Sequence, residues 1–272
     1  MQTMERQRVA PVHPRPRRPA PWPVEFYRST VGMKWVMAVS GIFLMGYVFL
    51  HMLGNLKLYM GADDINHYGE FLRDLLVPIF PRTVTLWLLR IGLILAFFFH
   101  VHSAYRLTRI NRRARAEGGY ISKRDYQAAT IASRSMRMTG VVILLFVLWH
   151  LADLTWGTAN PDFVRGDVYR NVVASFERPV VSLIYIVANI ALGLHLFHGA
   201  WSMFQSLGLN NPRWNSVRRG FAAGFAGIVM VGNLSFPIAV LTGVISADDN
   251  PDCRVVDGVI ETCELYAGEG EG

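Results

Sequence analysis

Six of the eight histidines, His51, His100, His102, His150, His195 and His198, lie inside long apolar stretches. An ionisable side chain is expensive to hold in such surroundings and is a candidate functional group by default. A neutral imidazole can ligate a metal through one ring nitrogen, or it can relay a proton. One such residue alone is often only a hydrogen-bonded packing group. Here four apolar runs each carry one or two histidines and a fifth carries none, which argues against coincidence. Competing chemistries lack their parts. The two cysteines, Cys253 and Cys263, both fall in the last twenty residues, so neither thiol catalysis nor a CxxC metal site can be assembled from them. No dinucleotide fingerprint and no cluster-binding cysteine set is present.

The runs that position the histidines cover about 35–56, 84–107, 138–156, 179–205 and 221–245. Each is long enough to cross a hydrocarbon core of about 30 Å as a helix of about 20 residues. A chain that is 52% hydrophobic and only 17% charged, with mean hydropathy +0.27, belongs with integral membrane proteins. The expected fold class is an all-α membrane protein with five transmembrane helices, the first four forming a bundle around the histidines. Three regions follow: a basic, Pro-rich arm at 1–25, a membrane domain at 26–246 and an acidic tail at 247–272. The arm lacks the apolar core of a cleavable signal peptide.

Charge sets the orientation. The net charge of +7 would suggest nucleic acid in a soluble protein, but its distribution along the chain points to topology instead. Between the second and third runs, 106–137 holds nine basic residues against two acidic ones, and Arg213, Arg218 and Arg219 lie between the fourth and fifth. The tail from Ser246 holds eight acidic residues against Arg254 alone. Lysine and arginine stay on the cytoplasmic side, so the N-terminus is expected inside and the C-terminus outside. An extracytoplasmic tail would allow Cys253 and Cys263 to form a disulfide. Arg90, inside the outer end of the second run, is read as snorkelling outward or as lying beside a bound anionic group. No internal repeat is evident.

Depth then sorts the histidines. At 1.5 Å per residue, His51 and His150 lie roughly 24 and 18 Å from the inner ends of outward-running helices. His100 and His198, on inward-running helices, each stand roughly 10 Å from the inner end. Two matched pairs of imidazoles across a four-helix core suit axial ligation of two stacked haems. Zinc would want its ligands converging at one depth, and a proton path would want side chains graded in depth. His100 and His102 cannot face one haem together, being about 200° apart around the helix. His195 and His198 share a face, and depth with local sequence favours His198; the unused histidines are expected to be hydrogen-bonded to a carbonyl or a propionate.

Several segments carry a family resemblance: STVGMKWVMAVSG entering the first run, HMLGNL at His51, HVHSAYRLTRINRRAR from His100, SRSMRMTG before the third run, WHLADLT at His150 and HLFHGAWSMFQSLG from His195. In this order they resemble the five-helix, dihaem cytochrome b (b558-type) membrane-anchor subunit of succinate dehydrogenase and quinol:fumarate reductase, over about 26–245. The resemblance implies haem ligands at His51 and His150 (outer haem) and at His100 and His198 (inner haem). It also implies flavoprotein and iron–sulfur partners on the cytoplasmic face and electron transfer through two b haems to a membrane quinone, expected to be menaquinone, in a prokaryotic cytoplasmic membrane. An acidic residue that the fumarate reductase pattern places two before the fourth-helix ligand is Leu196 here.

Quinone chemistry needs proton donors beside an apolar cavity. Tyr68, Glu70 and Asp153 at the outer level, and Ser29 at the inner, are the candidates, against a reading of Glu70 and Asp153 as a solvated loop carboxylate and a helix-end charge. Lys34, Arg134 and Arg137, with Arg90, suit haem propionates, lipid headgroups or the partner subunit. Two alternatives stand beside this reading: a dihaem cytochrome b of a hydrogenase or formate dehydrogenase, and a haem-free transporter using histidines for protons.

Overall fold

The computed structural model describes residues 20–116, 131–209, 211–247, 253–256 and 259–263. Most of the basic arm, the side chain of Arg134 and the end of the acidic tail lie outside them. Among the described residues the regular structure of the membrane region is helical, and five helices are long and apolar enough to cross a membrane: α2 (Thr30–Asn55), α4 (Val84–Ala116), α5 (Ile131–Leu154), α7 (Pro179–Ser206) and α8 (Asn215–Leu241). This is a multi-pass membrane protein. Three short helices not evident in the apolar pattern join them, α1 (Trp22–Arg28), α3 (Ala62–Arg73) and α6 (Val168–Phe176). An antiparallel hairpin, β1 (Cys253–Val256) and β2 (Val259–Cys263), adds a little strand to an otherwise helical chain.

Local chemistry sets the helix starts. Ser29 caps α2 by accepting from the Gly32 N–H at 2.9 Å, satisfying a donor that the first turn leaves free. Any Cβ at Gly32 would collide with the Phe26 carbonyl, so glycine there lets α1 fold back on α2. α7 opens on Pro179 at its first position, where the missing N–H is no loss.

α4 packs along α2, α5 along α7, and α2 against α7, while α8 covers α7. The molecule is therefore two helix pairs, α2–α4 and α5–α7, set side by side. At one end the pairs are roofed by α3 and α6. Asn66 holds the roof together, accepting from the N–H groups of Val168 (2.8 Å) and Tyr169 (3.2 Å) and donating to Asp167 at 3.1 Å. Tyr169 donates in turn to the Ser246 carbonyl at 3.0 Å. Beneath lies the main apolar core, including Met52, Ile65, Val173, Phe176, Tyr185 and Phe236.

Candidate functional site

The two helix pairs bring histidines face to face at two levels. His51 of α2 meets His150 of α5 with ring centres 5.9 Å apart, and His100 of α4 meets His195 of α7 at 6.3 Å. Two imidazoles on opposite sides of one metal ion, each with a metal–nitrogen bond of about 2 Å, have ring centres roughly 6 Å apart. Both pairs have that spacing. The levels are well separated: Gly41 lies against His100 and is ten residues before His51 on α2, a rise of roughly 15 Å.

At three of the four rings, hydrogen bonds to Nδ1 leave Nε2 as the other nitrogen. His100 Nδ1 lies 3.2 Å from the Met37 carbonyl and 3.4 Å from Ser40 Oγ. A carbonyl only accepts, so Nδ1 carries the proton and Nε2 keeps its lone pair. His195 repeats the arrangement with Thr139 Oγ1 at 3.3 Å and the Met136 carbonyl, the Thr139 hydroxyl donating its own proton to Met136 at 3.0 Å. His150 Nδ1 lies 3.3 Å from the Tyr185 hydroxyl. His51 is stacked on Tyr47, centres 5.5 Å apart, as His150 sits on Phe146 at 5.8 Å. Neutral imidazoles with Nδ1–H engaged and Nε2 free have the form that metal-ligating histidine takes.

These correspondences expose an internal repeat, contrary to the expectation of none. Met37, Ser40, Gly41, Tyr47, Val48 and His51 recur 99 positions later as Met136, Thr139, Gly140, Phe146, Val147 and His150. Leu88, Ile91, Ala96 and His100 recur 95 positions later as Leu183, Ile186, Ala191 and His195. The shared glycines act alike: a Cβ added at Gly41 would stand 3.4 Å from the His100 ring, and one at Gly140 3.5 Å from the His195 ring. The α2–α4 and α5–α7 pairs are thus copies of one unit related by a pseudo-twofold axis, and each histidine pair straddles that axis. Serine or threonine followed by glycine, ten residues before a histidine, is the signal that the apolar pattern hid.

The repeat and the geometry agree on the facing partner: His195, not His198, stands against His100. Depth alone could not separate them, because three residues amount to about 4.5 Å along the axis, and hydropathy does not mark a helix end that finely; α4 continues to Ala116. His198 corresponds in the repeat to Ser103. Both Ser103 Oγ and His198 Nδ1 are buried without a hydrogen-bond partner among the described residues, as is Trp201 Nε1. His102 turns away from the centre, its Nδ1 2.5 Å from the Tyr27 hydroxyl.

The quinone candidates have the following partners. Asp153 is not a solvated helix-end charge: it is completely buried and bonded to Arg178 at 2.7 Å, Tyr185 at 2.9 Å and Ser175. Glu70 is ion-paired with Arg73 and Arg82. Tyr68 rests on Gly54, where a Cβ would come within 2.6 Å of its ring. Ser29 is the α2 cap. Lys34 and Arg137 are exposed, and Arg90 stacks over Trp87 at 5.2 Å. Among the described residues no three His, Cys, Asp or Glu side chains gather around one point, so the histidine pairs are the arrangement available to a metal.

Residues 110–234 match the family model of the succinate dehydrogenase/fumarate reductase transmembrane subunit. The match takes in α5, α6, α7 and most of α8, with His150, His195 and His198. Neither a curated protein nor a solved structure matches the chain.

Proposed function

We propose that this chain, which over residues 110–234 matches the succinate dehydrogenase/fumarate reductase transmembrane subunit family, is the dihaem, quinone-reactive anchor of such a complex. The observation that carries the reading is the pair of facing imidazole couples on one pseudo-twofold axis, with Nδ1 engaged at His100, His150 and His195. His51 and His150 would hold one haem, and His100 and His195 the other. Haem iron at these positions supplies one-electron transfer between an iron–sulfur partner and membrane quinone.

The chain's own residues do the rest. Met37, Ser40, Met136 and Thr139 hold the His100 and His195 rings through Nδ1 and leave Nε2 for the metal. Gly41 and Gly140 leave room for those rings against the neighbouring helix. Ser103, His198 and Trp201, one to two turns further along, offer buried donors to a carboxylate-bearing ligand at that level. The apolar core beneath the α3–α6 roof, with Met52, Phe176 and Tyr185, packs beside the His51–His150 level.

The His100–His195 level lies toward the basic 106–137 segment, so positive-inside retention makes it cytoplasmic. Flavoprotein and iron–sulfur subunits would dock there, in a prokaryotic cytoplasmic membrane. The matched family favours this complex over a hydrogenase or formate dehydrogenase. The test is the haem content of the complex purified with its soluble partners. Two b haems per chain with low-spin, bis-histidine spectra are expected, and a complex that oxidises succinate without haem would overturn the assignment.

A further inference from the structure

The Asp153–Tyr185 network is a chain of hydrogen bonds whose direction is fixed from end to end. Asp153 follows His150 by three residues at the end of α5 and has 0% exposure. Its carboxylate accepts from Arg178 at 2.7 Å, from the Ser175 hydroxyl and from the Tyr185 hydroxyl at 2.9 Å. Tyr185 has one proton and gives it to Asp153. Towards His150 Nδ1, 3.3 Å away, its oxygen can therefore only accept. The series runs His150 N–H to Tyr185, and Tyr185 O–H to Asp153, with Arg178 N–H closing it from the other side. Ring contacts hold Tyr185 at its station, Phe146 at 5.0 Å and Phe176 at 4.8 Å between centres.

The repeat shows that this is specific to one side of the axis. Tyr185 stands 95 positions after Arg90, and Asp153 stands 99 after Gly54. The first copy therefore puts a cation and a glycine where the second has a tyrosine and a carboxylate, and His51 takes its support from the Tyr47 ring instead. At the other level the two rings are held alike, through Met37 with Ser40 and through Met136 with Thr139. Among the described residues, only His150 is tied through a hydroxyl to a buried carboxylate.

We propose that Tyr185 and Asp153 are positioning residues for His150: they lock its Nδ1–H tautomer and make the ring a stronger electron donor through Nε2. The inference rests on His150 being a haem ligand. A second-sphere acceptor on Nδ1–H raises ligand basicity, and more basic axial ligands and nearby negative charge stabilise the ferric state and lower its potential. The His51–His150 haem is then held at a lower potential than its bare ligand pair would give, and the His100–His195 haem is not affected.

The experiment is a redox titration of both haems in the intact complex carrying Tyr185→Phe, with Asp153→Asn as a second variant. Haem content of the unsubstituted complex, measured first, tests the ligand assignment separately from this inference. Tyr185→Phe keeps the ring packing and removes the acceptor; Asp153→Asn keeps an acceptor for Tyr185 and removes the charge. Both variants are expected to move one of the two midpoint potentials upward and leave the other in place, with a change in the low-spin ferric resonance of the same haem. Unchanged potentials, or equal shifts at both haems, would overturn the proposal. So would failure of both variants to assemble, since the cluster would then serve folding and not the electronics of His150.

Discussion

A membrane histidine is defined by what its second nitrogen touches. His195 and His198 lie three residues apart on α7 in similar apolar settings, yet only His195 has a ring partner across the axis and an acceptor for Nδ1. The two histidine levels were legible in the sequence because depth along a helix is a one-dimensional count. The choice between neighbours was not, because it depends on rotation about the axis and on the facing helix. Reading Met-x-x-Ser-Gly and Met-x-x-Thr-Gly as copies would have decided it, since His195 and not His198 then corresponds to His100. His195→Ala is expected to abolish the second haem in the purified complex while keeping the haem of His51 and His150. His198→Ala should retain both, with at most an altered carboxylate environment. Haem quantitation on the two variants checks this, and the reverse pattern would restore His198 as the ligand.

At the scale of elements, the five spanning helices were legible because apolar runs of that length have few alternatives. The short helices were not. α3 and α6 are polar on one face and brief, and their place is set by a single side chain, Asn66, bonding to residues about a hundred positions away. Such a contact has no local signature. Asn66→Ala removes one acceptor serving two N–H groups at the start of α6 and one donor to Asp167. A lost helix cap with a buried donor left unsatisfied costs about 1 to 3 kcal/mol. The expected outcome is a lower thermal midpoint of the complex, with the haem of the His51–His150 level released first because the roof lies over it. Equal loss of both haems on heating would show that the roof does not protect that level selectively. Asp153 belongs to the same lesson: three residues after His150 it reads as a helix-end charge, and only α6 and α7, bringing Ser175, Arg178 and Tyr185, make it a buried hub.

For the molecule as a whole, the pseudo-twofold relation explains why four histidines on four helices make two pairs, each with one ring from either copy, while the charge asymmetry is the ground for assigning each pair to a compartment. The acidic tail is the end of the chain on which that assignment can be tested most directly. The register of β1 and β2 sets Cys253 opposite Cys263, the pairing that an oxidising compartment would convert to a disulfide. The sequence contains no other cysteine, so thiol labelling reports on this hairpin alone. In right-side-out membrane vesicles a membrane-impermeant maleimide is expected to label neither residue until an impermeant reductant is added, and then to label both without detergent. Labelling only after detergent would place the tail inside, reverse the topology and move the electron-entry face to the His51–His150 end. Labelling without reductant would leave the topology intact and show the hairpin to be held by its backbone pairing. The double variant Cys253→Ser, Cys263→Ser should keep both haems, because no histidine ligand lies within forty residues of the hairpin in the sequence and both pairs are enclosed by helices that end before it.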